Sequence, residues 1–461
     1  MPHYDLLVIG SGPSGQRAAV QAAKLGKRTV LVERRQMVGG VCVNTGTIPS
    51  KTLREAVLYL TGYGQHAIYG TAYAVKEHIT IEDLMLRTSF VIRREIDVTR
   101  AQMRRNHVDM LFGDASFVDP HTVAVAGVGE TNQVTADVLI IAVGTSPAPP
   151  PGILCDSEHL IDSDQILQMK RLPATLTVVG AGVIGLEYAS IFATLGIEVT
   201  VVDMRDELLE FVDEEIVENL SYHLRQRGTT LRLGEEVRRI LCPDGRAVAE
   251  LASGKRIVSD MILFSAGRLG ATASLNLAAA GLQADERGRL KVDAQYRTKV
   301  RHIFAVGDVI GFPALASTSM EQGRLAAAYA FGRDVPPMPR LFPFGIYTIP
   351  EISMVGPTEQ ELTGAAVPYE TGVSRYREIA RGQILGDDTG FLKLIFHRET
   401  RRLLSAHAIG TGATEIIHIA QAVVALGGTL EYFVNNVFNY PTLAECYKVA
   451  ALDCANKLDK A

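Results

Sequence analysis

Cysteine is scarce in this chain and never paired in sequence. The five cysteines among its 461 residues (Cys42, Cys155, Cys242, Cys446 and Cys454) are scattered, and none forms a CxxC motif. A disulfide framework and a structural zinc site are therefore not expected, and the usage fits a reducing cytoplasm. Runs of like charge are also absent, which leaves no acidic or basic tail. The net charge of -5 makes nucleic acid and anionic membrane surfaces poor partners. Long uninterrupted apolar runs are missing as well. The most apolar stretch, Leu176 to Val202, is broken by Glu187, Glu198 and four glycines, so it reads as strand, helix and strand rather than a membrane span. The opening MPHYDLLVIGSGPSG lacks a basic leader. Its apolar stretch runs straight into glycines, as a buried strand does and a signal peptide does not.

The length predicts roughly two to four domains with a sizeable core. Two segments share one layout. In residues 5–33 an apolar strand ends at Gly10, a turn supplies Gly12 and Gly15, a helix follows, and a second strand ends on Glu33. Residues 176–203 repeat it with Gly180, Gly182, Gly185 and Asp203. The first glycine makes a tight turn, the second lets the backbone approach a pyrophosphate, and the third allows close helix–strand packing. The helix N-terminus then faces the phosphates, and the terminal acid accepts hydrogen bonds from ribose hydroxyls. One such motif is weak evidence of a nucleotide; two complete units point to two dinucleotides.

Further segments extend the pattern: GGVCVNTGTIPSK (39–51), VLIIAVGTSP (138–147), TKVRHIFAVGDV (298–309) and NYPTLAECY (439–447). Together and in this order they resemble the pyridine nucleotide-disulfide oxidoreductase family, which includes glutathione reductase, lipoamide dehydrogenase and mercuric reductase. The resemblance covers essentially the whole chain. It implies an α/β protein with two Rossmann-like dinucleotide-binding domains plus an α+β C-terminal dimerisation domain, assembled as a homodimer or higher homo-oligomer. The expected boundaries are 1–145 for the first part of an FAD domain, 146–267 for an NAD(P) domain, 268–340 for a central FAD segment and 341–461 for the interface domain. The proline-rich stretch 335–343 reads as a linker.

By the same resemblance, the first site holds FAD, with Gly10, Gly12, Gly15, Glu33, Gly40, Cys42, Ala115, Gly144 and Asp308 around it. Gly180, Gly182, Gly185, Asp203, Arg205 and Gly267 fall to the nicotinamide nucleotide. Lys51 matches the lysine near flavin N5, and Glu187 matches the carboxylate that pairs with it. An ammonium there favours the anionic reduced flavin. A helix over 314–332 is expected to bring its N-terminus toward the same ring. Strands are expected between Phe391 and His407, and a helix from Glu415 to Leu426.

Two positions depart from the family pattern. Thr47 stands where the second cysteine of the redox pair belongs, so Cys42 has no partner in that segment. Tyr440 replaces the histidine that serves as acid–base for the thiols of the partner subunit, while Pro441, Thr442 and Glu445 are kept. A phenol with a pKa near ~10 is a poor base at neutral pH. Both losses fall on one chemical route, which points to a changed reaction. The combination of GTIPSKTLRE with NYPTLAE is similar to family members that exchange hydride between NADPH and NAD+ through the flavin. That activity needs a second site open to both nucleotides. Asp203 suits ribose hydroxyls and Arg205 a 2′-phosphate. A quinone or dye reductase of the same fold, and a non-catalytic flavoprotein subunit of a larger complex, are the competing expectations.

Overall fold

The computed structural model describes residues 1–150, 153–154 and 158–460. The chain opens with strand His3–Ile9, whose segment Leu6–Ile9 is buried throughout. A strand apolar on both faces fits only the interior of a covered parallel sheet. It pairs in parallel with Thr29–Glu33 on one side and Thr131–Ile141 on the other. Between the first two strands, Gly10 turns the chain at φ +105°. Helix Pro13–Lys24 then starts with proline in its first turn, where no amide donor is needed. Its small face, Ala18, Ala19 and Ala22, is buried. That smallness lets helix Ala316–Ala330 approach so closely that a Cβ on Gly323 would lie 2.0 Å from the Ser14 carbonyl oxygen.

The second unit repeats the plan. Strand Thr175–Val179, helix Val183–Thr194 and strand Glu198–Val202 form a parallel strand–helix–strand unit, flanked by Met261–Phe264. The apolar stretch read as strand, helix and strand is thus built that way. No helix among the described residues is long and apolar enough to cross a membrane. Two short antiparallel strands, Thr145–Pro147 and Arg268–Gly270, carry the chain into this unit and out again. The Arg268 guanidinium fastens that crossover, donating to Thr145 Oγ1 and the Thr145 carbonyl at 2.9 Å each and to Asp164 at 3.1 Å. On return, Ile303–Ala305 joins the first sheet beside Thr131–Ile141.

The last part is a five-stranded antiparallel sheet, from Phe344–Ile346 at one edge to Tyr369–Arg375 at the other. It includes strands Phe391–His397 and Leu403–Ile409, and helices Ala413–Ala425 and Glu445–Leu458 lie with it. The helix expected over 314–332 spans Ala316–Ala330.

One expectation about sulfur needs correction. Cys42, Cys446 and Cys454 are free, but Cys242 is disulfide-bonded. Sequence spacing cannot exclude such a bond, because pairing depends on how close the fold brings two Cα atoms. Cys155 lies outside the described residues.

Candidate active site

The two nucleotide units face one another across a cavity of about 1640 Å³ that extends to the C-terminal sheet. At both nucleotide turns the glycines divide their work as the motif requires. Gly10 and Gly12 line the cavity, as do Gly180 and Gly182. Gly15 and Gly185 do not line it; a Cβ on either would sit 1.9 Å from a carbonyl oxygen, that of Gly10 or Gly180. These third glycines therefore serve helix–strand packing. Nothing lies within 4 Å of a Cβ built on Gly12 or Gly182. That open space at a helix N-terminus fits a pyrophosphate.

Glu33 and Asp203 end the second strand of each unit, and both line the cavity. Glu33 Oε2 accepts from the Ser11 N–H at 3.0 Å and the Ser11 hydroxyl at 2.5 Å. Asp203 Oδ2 accepts the Ala181 N–H at 2.6 Å. Arg205 does not reach out toward Asp206 or Glu207. It folds back on Asp203, with Nη2 2.7 Å from Oδ2 and Nε 3.0 Å from Oδ1. Burial alone would raise the Asp203 carboxyl; the Arg205 guanidinium and backbone N–H groups outweigh it and hold the group below its ordinary value. Gly40, Ala115, Gly144 and Gly267 line the same cavity. Asp308 does too, largely buried, with Ser319 Oγ donating to it at 3.2 Å. Burial pushes its carboxyl up, partly opposed by that hydroxyl and by Arg268.

Between the two units sits an ion pair. Lys51, in helix Thr47–Thr61, places Nζ 2.6 Å from Glu187 Oε2 in helix Val183–Thr194. The Glu187 side chain is 6% exposed and that of Lys51 25%. A charged carboxylate so buried needs its partners, and Glu187 Oε1 takes a second one, the Tyr347 N–H at 2.9 Å. Sequence separates these residues by 136 positions, yet the fold joins them.

Cys42 and Thr47 stand together on the cavity wall, near enough for the Thr47 hydroxyl to act on the thiol. The missing sulfur is therefore missing from the right place: a hydroxyl stands opposite the thiol. Burial is the main influence on Cys42 and raises it, with Thr47 pulling the other way. The thiol stays neutral near pH 7 and is a weak nucleophile.

Tyr440 and Glu445 fall elsewhere. Tyr440 is 75% exposed, Glu445 accepts the Thr442 N–H at 2.9 Å, and neither lines the cavity of its own chain. Sequence reasoning missed Tyr347, which belongs to no glycine or cysteine motif. It also missed an aromatic group at the cavity edge: Phe344 has Phe211, Phe312 and Phe342 around it at ring distances of 5.7, 6.2 and 5.5 Å. Phe211 and Phe312 come from segments distant from Phe344 in sequence, and no local pattern brings them to it.

The family assignment follows from matches that span this whole architecture. The sequence model described as pyridine nucleotide-disulphide oxidoreductase matches residues 4–323, and that of the family's dimerisation domain matches residues 342–451. The chain belongs to the pyridine nucleotide-disulphide oxidoreductase family. It is 56% identical over 460 residues to a soluble pyridine nucleotide transhydrogenase of Mycobacterium tuberculosis, covering 99% of this chain and 98% of that one. A protein of the same name from Colwellia psychrerythraea is 45% identical, again over 99% and 98%. Among solved structures, the HOCl-induced flavoprotein disulfide reductase RclA of Escherichia coli superposes with a TM-score of 0.89. It has 27% identity and covers 98% of this chain and 99% of its own. LpdA of Mycobacterium tuberculosis gives a TM-score of 0.89 at 25% identity, with coverage of 98% and 99%. Members of this family use flavin and nicotinamide nucleotides, so the chain is a flavin-dependent NAD(P) oxidoreductase. The match to the family's dimerisation domain supports a homo-oligomer.

Proposed function

We propose that this oxidoreductase exchanges hydride reversibly between NADPH and NAD+ through FAD, as a cytoplasmic homodimer, with one nicotinamide leaving before the next enters. The observation that carries the reading is Thr47 opposite Cys42 beside an intact Lys51–Glu187 pair. Electrons can be loaded, but the dithiol exit used by disulfide reductases is closed. The names of the relatives at 56% and 45% identity support the same activity.

The residues fit both dinucleotides. Gly10, Gly12, Glu33, Gly40, Ala115, Gly144 and Asp308 would hold FAD, with Cys42 and Thr47 on the wall beside it. Gly180, Gly182, Asp203, Arg205 and Gly267 would hold the nicotinamide nucleotide. A bound flavin would supply the hydride-transfer chemistry between the two nicotinamides. The chain's own task is to bind, orient and balance charge. Lys51 holds a fixed positive charge in the cavity, where it is worth more than in water. Glu187 keeps that ammonium in place. Asp203 accepts from ribose hydroxyls, and Arg205 leaves it to meet a 2′-phosphate when one arrives. Tyr440 and Glu445 take no proton here, because no thiol needs a base.

Anaerobic stopped-flow absorbance tests the reading. The purified protein is mixed with NADPH until the flavin bleaches, and NAD+ is then added. Recovery of the yellow colour with NADH formed at a comparable rate supports hydride exchange. Bleaching without recovery rejects NAD+ as the acceptor and favours a quinone or dye.

A further inference from the structure

Lys51 is gripped from a side the sequence motif does not reveal. Its ammonium donates to Glu187 and lies 3.3 Å from Ser50 Oγ, while the ring of Tyr347 has its centroid 4.9 Å from Nζ. An aromatic face at that distance attracts a cation through its quadrupole, more strongly where water is scarce. Tyr347 also holds the other half of the ion pair, since its N–H donates to Glu187 Oε1 at 2.9 Å. One residue just past the edge strand Phe344–Ile346 therefore contacts both charges.

Burial raises the Tyr347 hydroxyl, with Thr414 pulling the other way, and Thr414 is itself held, its N–H and Oγ1 donating to Glu351 Oε1 at 3.1 and 3.2 Å. Glu351 Oε2 lies 3.2 Å from Arg54 Nη2, with both side chains under 10% exposed. Arg54 stands three residues after Lys51 on the same helix, on neighbouring faces of one turn. The chain Thr414, Glu351 and Arg54 thus leads back to the helix that carries Lys51.

We propose that Tyr347 is a positioning residue for hydride exchange, its ring face and backbone amide together holding the Lys51 ammonium toward the flavin. This rests on the reading of Lys51 as the cation beside the flavin. Through Tyr347 the dimerisation unit sets the charge at the redox centre. In this proposal Tyr347 acts through Lys51.

The test is a spectroelectrochemical titration of the flavin in the holoenzyme, without nicotinamide nucleotides. It compares the wild type with Tyr347→Phe, Tyr347→Leu and Lys51→Met. Removing the positioned cation disfavours the reduced, more negative flavin, so Lys51→Met shifts the midpoint potential downward. Tyr347→Leu is expected to shift it the same way by a smaller amount, and to slow flavin reduction by NADPH about tenfold with KM little changed. Tyr347→Phe keeps the ring and restores both values. Tyr347→Met, which is unbranched and of similar length, replaces the leucine variant if that one loses flavin.

An unshifted potential in Tyr347→Leu beside a shifted one in Lys51→Met overturns the proposal and leaves the Lys51 reading standing. A Tyr347→Phe variant as impaired as Tyr347→Leu also overturns it, by moving the role to the hydroxyl. An unshifted Lys51→Met removes the Lys51 reading, and the proposal falls with it.

Discussion

Arg205 spends its guanidinium on Asp203. Nη2 to Oδ2 and Nε to Oδ1 measure 2.7 and 3.0 Å, and the Arg205 N–H adds a third bond to Oδ1 at 2.9 Å. The side chain is still 41% exposed, so the pair is not locked away from a competing anion. A 2′-phosphate offers the guanidinium more charge than the carboxylate does. Arg205→Leu is therefore expected to raise the KM for NADPH about tenfold, the worth of one exposed charged hydrogen bond. The KM for NADH should move little, because Asp203 remains. Steady-state kinetics with each nucleotide checks this, and an equal loss for both would sink the idea of a shared site.

Thr47→Cys should restore a dithiol. Thr47 and Cys42 share the cavity wall, and the Thr47 hydroxyl already acts on the thiol, so a sulfur placed there is expected within reach of it. The oxidised variant is expected to weigh two hydrogens less than the reduced one. Alkylation of Cys42 should succeed only after reduction, and NADPH-to-NAD+ exchange should slow as electrons divert to the disulfide. Mass spectrometry with and without reductant decides. A Cys42 that alkylates freely in the oxidised variant would show that more than one substitution separates this site from a redox pair.

Much of the site was legible in sequence because glycine turns, strand-ending acids and the Lys51 segment are local patterns with local causes. Gly10, Gly12 and Gly15 each carry a backbone requirement that a one-dimensional spacing records. The pairing of Lys51 with Glu187 had to be borrowed from the family resemblance, since no rule of spacing joins residues 136 apart. Tyr347 and the rings around Phe344 stayed hidden for a related reason. A half-buried aromatic looks the same in sequence whether it packs a core or faces an ammonium. The state of Cys242 was also unreadable, because proximity in space leaves no trace in spacing.

The second and third glycines of the second motif should fail in different ways. Gly182 has φ −78° and ψ −178°, a conformation alanine adopts freely, and a Cβ there meets no atom within 4 Å. Gly182→Ala should therefore fold with stability within about 0.5 kcal/mol of the wild type and stay yellow. It should lose NADPH reduction at least tenfold, as the methyl group takes the place of a phosphate. Gly185→Ala puts its Cβ 1.9 Å from the Gly180 carbonyl oxygen. Backbone must shift, at a cost of about 1–3 kcal/mol. Thermal unfolding beside flavin reduction separates the two; equal melting temperatures would contradict the packing role given to Gly185.

Lys393 supplies the last prediction, away from the cavity. This lysine, 3% exposed in its side chain, lies 2.9 Å from Asp213 Oδ1 and 3.2 Å from Glu215 Oε2 and also pairs with Glu359. Asp213 and Glu215 begin helix Glu214–Gln226 of the second nucleotide unit, while Lys393 and Glu359 belong to the C-terminal part. The ammonium thus joins the two. Burial works against its charge, yet Glu359 and Asp213 overcome it and raise the group from 10.5 to about 12. A pKa raised by folding contributes stability that is fully present below about 10.5 and lost as pH climbs through about 12. Lys393→Met leaves the buried Asp213 carboxylate without its cation and should cost about 3–5 kcal/mol. Flavin release on heating measures it: the wild type should lose its margin over the variant between pH 10.5 and 12, and a margin that stays constant across that window would mean the lysine's charge is not what joins the units.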